Sequence, residues 1–215
     1  MAIKKHQVSY SHVNSFETLN KINSKTKNVW FVFHGMGYLS RYFLKYFKSL
    51  NPEDNFIICP QAPSKYYLKD NFKHVGASWL TKEDTNQEIN NILQYLDRVK
   101  ESIKIPENVN FILFGFSQGV SILMRWLTSR EINCDKLILY AGGIPNEIKP
   151  QQVEFLDFQK TSIQIIYGNS DKYLNEERLK LEGEKRELLF GKNTEVINFE
   201  GGHEIKLELL QKIAD

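Results

Sequence analysis

The sequence predicts an α/β fold, with a mostly parallel central sheet of about seven strands and helices on both faces. Two observations lead to this class. Short runs of β-branched and aromatic residues alternate along the chain with amphipathic stretches at helical spacing. The apolar runs are nearly continuous, which is typical of parallel strands buried on both faces. Because the alternation has no linker or repeat, residues 1–215 are expected to form a single domain.

The strands are predicted from six apolar runs, at 29–33, 56–59, 109–114, 136–140, 162–167 and 195–199. A weaker alternation over 7–19, carried by Val8, Tyr10, Val13 and Phe16, predicts an exposed antiparallel hairpin at one edge. Amphipathic spacing predicts helices over 84–103, 118–129, 175–190 and 204–213. The segment 60–81, rich in Pro, Tyr, Lys and Ser, is expected to be an irregular loop of the functional or mobile kind.

Composition excludes several classes of protein. The 28 Lys and Arg residues against 26 Asp and Glu leave a net charge of +2, which gives no general attraction to nucleic acid. No apolar run approaches the ~18 residues that a membrane span needs, so stable membrane insertion is not expected. The charged N-terminus is followed by no apolar stretch, and only two cysteines are present. We therefore expect no secretory signal, no disulfide scaffold and a cytoplasmic location.

A candidate nucleophile lies in the sequence Gly115-Phe-Ser-Gln-Gly119. This G-x-S-x-G motif follows an apolar strand and precedes an amphipathic helix, which is the setting of a nucleophile elbow. Small residues two positions either side of Ser117 avoid collisions in the tight turn. The serine would stand at a helix N-terminus, where negative charge is favoured. The alternative is a helix-capping serine after a glycine turn.

Acyl transfer also needs two N–H donors directed at the oxygen that becomes charged. One is expected from Gln118, the residue after the serine, and the other from Met36 in the turn His34-Gly-Met-Gly37. The alternative for this turn is a simple strand-to-helix connection. His34 itself is interpreted as a structural, hydrogen-bonding histidine.

A general base and an orienting acid complete the predicted site. Of the five histidines, only His203 follows the serine and an acid in the chain order Ser, Asp or Glu, His. Asp171, in a glycine turn after a strand, is the favoured acid, while Asp157 and Glu176 are weaker candidates within helix-like stretches. Capping or turn roles are the alternatives for both predicted residues.

Together these motifs resemble the α/β-hydrolase superfamily, and more narrowly the phospholipase/carboxylesterase group that includes acyl-protein thioesterases. The matching segments are His34-Gly-Met-Gly37, Pro60-Gln-Ala-Pro63, Ser78-Trp79, Gly115-Phe-Ser-Gln-Gly119, Gly168-Asn-Ser-Asp171 and Gly202-His203. The resemblance implies a triad of Ser117, Asp171 and His203, with the amides of Met36 and Gln118 as the oxyanion hole. It also implies hydrolysis through an acyl-enzyme, without a metal or organic cofactor.

The expected substrate is a small acyl ester or thioester. Little chain remains for a large lid domain, so the binding site should be an open groove. Its candidate walls are Met36, Tyr38, Tyr66, Tyr67, Trp79 and Ile144, although such side chains also pack beneath long loops. Lysophospholipase or acyl-thioesterase activity is an alternative, because the same triad serves all three reactions. An alternative of another class is a non-catalytic binding protein on a hydrolase scaffold.

Overall fold

The computed structural model describes residues 2–214, which contain nine strands and five α-helices. The strands are β1 (Phe16–Leu19), β2 (Asn28–Phe33), β3 (Asn55–Pro60), β4 (Ser64–Tyr67), β5 (Val75–Ser78), β6 (Asn110–Phe116), β7 (Lys136–Tyr140), β8 (Ser162–Gly168) and β9 (Thr194–Phe199). The helices are α1 (Ser40–Phe43), α2 (Thr85–Glu101), α3 (Gln118–Arg130), α4 (Glu176–Phe190) and α5 (Leu207–Ala214). Two 3-10 helices lie at Leu44–Ser49 and Pro150–Val153.

Seven strands form one sheet in the order β1-β3-β2-β6-β7-β8-β9. Only the edge pair β1–β3 is antiparallel; each other neighbouring pair in this sheet is parallel. The predicted fold class is therefore confirmed, with helices on both faces of a mostly parallel sheet and no large additional domain.

Alternate residues of the central strands point to opposite faces and bury two apolar clusters. On one face, strand residues such as Phe31 and Leu113 pack with Leu96 of α2, Trp126 of α3 and Phe190 of α4. The other cluster joins the sheet to α1, the first 3-10 helix and α5; its members include Trp30, Phe114, Phe43, Phe47 and Leu210. Between residues 2 and 214, no helix combines the length and apolar character needed to cross a bilayer.

The strand register brings the connections at the carboxyl ends together. Phe33 of β2 lies opposite Gly115 of β6, and Phe116 lies opposite Tyr140 of β7. Gly168 of β8 is paired with Phe199 of β9. The turns that follow these strands therefore meet at one edge of the sheet.

Two local predictions are wrong. No hairpin forms over 7–19: residues 2–15 have no regular secondary structure and only β1 pairs with the sheet. The alternation there does not reflect burial, because Val8, Tyr10 and Val13 are 80–93% exposed. Conversely, the segment 60–81 is not wholly irregular, because β4 and β5 form a two-stranded hairpin within it.

Candidate active site

Ser117 lies in a sharp turn between β6 and α3, with φ 54° and ψ −120°. This positive φ is costly for a residue with a side chain, and such strain is commonly found at functional sites. The neighbouring glycines permit the turn. A Cβ on Gly119 would lie 2.2 Å from the carbonyl oxygen of Phe33, and one on Gly115 would lie 2.8 Å from the Val120 backbone. The predicted strand–turn–helix arrangement is present.

Three side chains that are distant in sequence form one hydrogen-bonded chain. The Ser117 hydroxyl lies 2.9 Å from Nε2 of His203, and Nδ1 of His203 lies 2.7 Å from Oδ2 of Asp171. The Asp171 side chain is fully buried, whereas the His203 side chain is 18% exposed. A buried carboxylate beside Nδ1 favours a proton on that nitrogen, which leaves Nε2 free to accept from the serine.

The turns that carry Asp171 and His203 are joined by hydrogen bonds. The Ser170 amide donates to the Gly201 carbonyl at 2.9 Å, and the Gly201 amide donates to the Asn169 side chain at 3.2 Å. A Cβ on Gly168 would lie only 2.3 Å from the Gly201 carbonyl oxygen. Close packing of the two turns therefore fixes the distance between acid and histidine.

The imidazole of His203 is also held by aromatic rings. The Phe116 ring lies 5.0 Å from it, centroid to centroid, and the Tyr173 ring meets it in a T-shaped contact at 4.8 Å. Tyr173 is not among the predicted site residues. Its position two residues after the candidate acid could have indicated it, because its amide donates to Oδ1 of Asp171 at 2.9 Å.

The turn 34–37 lies against the serine, since a Cβ on Gly35 would be 3.1 Å from Cβ of Ser117. Among residues 2–214, neither the amide of Met36 nor that of Gln118 has a hydrogen-bond acceptor. Gln118 begins α3, so its N–H is one of the unpaired donors that open a helix. Two unpaired amides therefore flank the nucleophile candidate on adjoining segments.

A family model described as phospholipase/carboxylesterase matches residues 14–215. The chain belongs to the phospholipase/carboxylesterase family. Its members share the α/β-hydrolase fold, so the resemblance drawn from the motifs is confirmed, and membership identifies an esterase-type hydrolase.

Solved structures show the same architecture. Acyl-protein thioesterase 2 from Zea mays is 13% identical, with 94% of this chain and 96% of that chain covered and a TM-score of 0.68. A phospholipase/carboxylesterase from Dyadobacter fermentans is 19% identical, with 96% of this chain and 98% of that chain covered and a TM-score of 0.63. Esterase PE8 is 18% identical, with 93% of this chain and 97% of that chain covered and a TM-score of 0.66. At these identities the likeness concerns the fold. No curated protein matches this sequence.

One residue expected to line a groove in this hydrolase does not do so. Trp79 is 0% exposed, packs against Phe33, and donates its indole N–H to the His34 carbonyl at 2.8 Å. This prediction is wrong because apolar character alone does not distinguish a groove wall from a core position. Ile144 is 3% exposed, and its amide donates to Glu182 of α4, but its side chain lines a cavity together with Gly142.

The other predicted wall residues are accessible. Met36 is 60% exposed, and Tyr66 and Tyr67 on β4 are also exposed. Tyr38 is half-buried, with its hydroxyl 3.0 Å from that of Tyr46, and its ring meets Phe116 edge-on. These residues lie on the turn 34–38, in which Gly35 approaches Ser117, and on the β4–β5 hairpin, in which Gly76 packs against Gly37 of that turn.

The remaining candidates for base and acid lie elsewhere. His6, His12 and His74 are exposed, and Asp157 pairs on the surface with Lys160. Glu176 is exposed at the start of α4. His34 is fully buried, and burial lowers its pKa to about 4, against a smaller opposing effect from its hydrogen bond to Gly35. It is therefore neutral near pH 7.

Proposed function

We propose that this member of the family is a serine hydrolase that cleaves carboxylic esters through a Ser117–His203–Asp171 triad and an acyl-enzyme. The observation that carries the proposal is the unbroken chain of contacts at 2.9 Å and 2.7 Å from the serine hydroxyl to the buried carboxylate. A nucleophile, a base and an orienting acid in that sequence of contacts suit acyl transfer.

In the proposed reaction, the Ser117 hydroxyl transfers its proton to Nε2 of His203 as its oxygen attacks the substrate carbonyl. The carbonyl oxygen becomes an oxyanion that accepts hydrogen bonds from the amides of Met36 and Gln118. His203 then gives the proton to the leaving alcohol or thiol as its bond to the acyl carbon breaks. Water repeats these steps on the acyl-enzyme, which releases the acid and restores the serine. These reaction steps require no metal or organic cofactor.

Asp171 is proposed to act only through the imidazole of His203 and not on the substrate itself. Its Oδ2 accepts from Nδ1 of His203, and this contact selects the tautomer in which Nε2 is a base. The negative charge also stabilises the imidazolium that forms during each proton transfer. Because the Asp171 side chain is wholly excluded from solvent, this interaction is only weakly screened.

The proposed substrate is a small acyl ester whose apolar part contacts the exposed Met36, Tyr66 and Tyr67. Hydrolysis of acyl thioesters is a second candidate activity, favoured by the structural likeness to acyl-protein thioesterase 2 from Zea mays. Both reactions use the same nucleophile and oxyanion donors, so the leaving group is what distinguishes them.

The test is hydrolysis of p-nitrophenyl esters and acyl-coenzyme A thioesters of graded chain length. We expect turnover by the wild-type protein and loss of at least about 10³-fold in kcat in Ser117→Ala. The matched control is Ser129→Ala, which alters an exposed serine near the other end of α3 and should retain full activity. Equal turnover by wild type and Ser117→Ala would refute the proposal, and the ratio of ester to thioester rates would choose between the two substrates.

A further inference from the structure

The turn that carries Met36 is fixed by a buried histidine that the proposed reaction does not use. The Ala62 amide donates to Nε2 of His34 at 3.1 Å, so the ring proton lies on Nδ1. Nδ1 lies 2.8 Å from the carbonyl oxygen of Gly35, to which it therefore donates. The same carbonyl accepts a second hydrogen bond from the Tyr38 amide at 3.3 Å.

This arrangement determines the direction of the Met36 amide. The Gly35 carbonyl and the Met36 N–H belong to one planar trans peptide, in which the two groups point in opposite directions. His34 is wholly buried and draws the carbonyl toward the interior. The N–H of the exposed Met36 consequently faces away from the imidazole of His34, and it has no acceptor among the described residues.

The same histidine is connected to the second proposed oxyanion donor through Trp79. The indole N–H of Trp79 donates to the His34 carbonyl at 2.8 Å, and the backbone N–H of Trp79 donates to Oε1 of Gln118 at 2.8 Å. The Gln118 side chain also donates to the Leu80 carbonyl at 2.8 Å. Gln118, which supplies one amide, is thus linked through its side chain to Trp79. Trp79 in turn is hydrogen-bonded to His34, which orients the Met36 amide.

We propose that His34 and Trp79 are positioning residues that set the orientation and spacing of the two oxyanion-hole amides. The inference rests on the proposed function and assigns a role to two residues that do not themselves touch the reacting atoms. It also explains two motifs outside the triad: the Ala62 amide comes from Pro60-Gln-Ala-Pro63, and Trp79 from Ser78-Trp79.

Misdirected donors weaken binding of the transition state more than binding of the ground state. His34→Phe keeps a ring but removes both ring hydrogen bonds, and we expect a fall in kcat of about 10- to 100-fold with KM changed less than about threefold. Affinity for phenylboronic acid, which forms a tetrahedral anion on an active serine, should fall in parallel. His34→Gln, which can offer one acceptor and one donor, should restore part of kcat.

A second pair of variants keeps the test decisive if His34→Phe does not fold. Trp79→Phe removes the indole N–H that reaches His34 and should lower kcat about 3- to 30-fold. Its matched control is Trp126→Phe, another fully buried tryptophan, which loses a hydrogen bond of 2.9 Å to Asp97. The control should lose comparable thermal stability and keep its kcat.

The outcomes separate this inference from the function on which it rests. If the wild type shows Ser117-dependent turnover, and folded His34→Phe retains its kcat and boronate affinity, the positioning role is overturned and the triad is unaffected. Equal kcat values for Trp79→Phe and Trp126→Phe would overturn it as well. Absence of Ser117-dependent turnover in the wild type would instead remove the proposed function, and this inference with it.

Discussion

Asp171 uses its two carboxylate oxygens for different partners. Oδ2 accepts from His203, and Oδ1 accepts from the Tyr173 backbone amide at 2.9 Å. The backbone contact fixes which oxygen faces the imidazole. An isosteric amide in this position would therefore keep its oxygen on the Tyr173 amide and turn its NH₂ group toward His203.

This geometry predicts the result of Asp171→Asn. The amide NH₂ would donate to Nδ1 of His203 and force the ring proton onto Nε2. A protonated Nε2 cannot accept a hydrogen bond from Ser117. We expect kcat to fall by about 10²- to 10⁴-fold with little change in thermal stability. Ester hydrolysis and a thermal melt of the purified variant measure both quantities.

The control for that variant is Asp157→Asn, which makes the same chemical change in an exposed aspartate paired with Lys160. It should retain wild-type turnover. Unchanged hydrolysis by Asp171→Asn, or an equal loss in the two variants, would show that the acid is assigned wrongly.

At the scale of the elements, the junction of β6 and α3 depends on a close approach that only glycine permits. Gly119 lies in the first turn of α3, where an added methyl group would lie 2.2 Å from the Phe33 carbonyl oxygen. Gly183, inside α4, has no atom within 4 Å of the corresponding position. Replacement of glycine by alanine should consequently have opposite effects on the free energy of unfolding at these two positions.

We predict that Gly119→Ala lowers the free energy of unfolding by more than about 2 kcal/mol, because backbone must move to admit the methyl group. Gly183→Ala should raise the free energy of unfolding by about 0.5–1 kcal/mol, since alanine is the better helix former. Urea denaturation of both variants measures the difference. Destabilisation by Gly183→Ala, or tolerance of Gly119→Ala, would contradict this packing of the two glycines.

The buried strands and long helices were predictable because their own composition determines their burial. Val29–Phe33 lies entirely within the core, and Ile92, Leu93, Leu96 and Val99 form the buried stripe of α2. The hairpin of β4 and β5 was not predictable in this way. All four residues of β4 are exposed, so its pairing with β5 leaves no apolar pattern in the sequence.

At the scale of the whole molecule, the placement of the site residues followed from topology. Residues 117, 171 and 203 each follow a strand of one parallel sheet, so their convergence at one edge was predictable. The environment of Trp79 was not, because its burial depends on contacts with Phe33 and His34 made across the fold. The roles of polar side chains such as Gln118 likewise depend on partners about 40 residues away.

The buried His34 links the stability of the whole protein to pH. Its pKa is about 4 in the folded protein, against the ordinary value of 6.5, because burial disfavours the imidazolium. Between these values the unfolded chain binds more protons than the folded one, so stability falls as pH is lowered. The unfolding free energy therefore begins to fall as the pH drops below about 6.5, and most of this loss is complete by about pH 4.

We expect this effect to amount to roughly 3 kcal/mol of unfolding free energy between pH 7 and pH 4. Urea denaturation across that range compares the wild type with His34→Gln, which lacks the titrating group. The variant should show a flatter dependence on pH. A slope equal to that of the wild type would mean that His34 is not kept neutral by burial.

The central claim is that Ser117 is an activated nucleophile only in the folded arrangement with His203 and Asp171. A fluorophosphonate probe tests it most directly, because phosphonylation of serine requires such activation. Intact-mass and peptide analysis should show one adduct per native chain, located on Ser117, and none on Ser117→Ala or on urea-unfolded protein. An adduct on another residue would contradict the claim, and an unlabelled native wild type would contradict it and favour a non-catalytic binding protein on this scaffold.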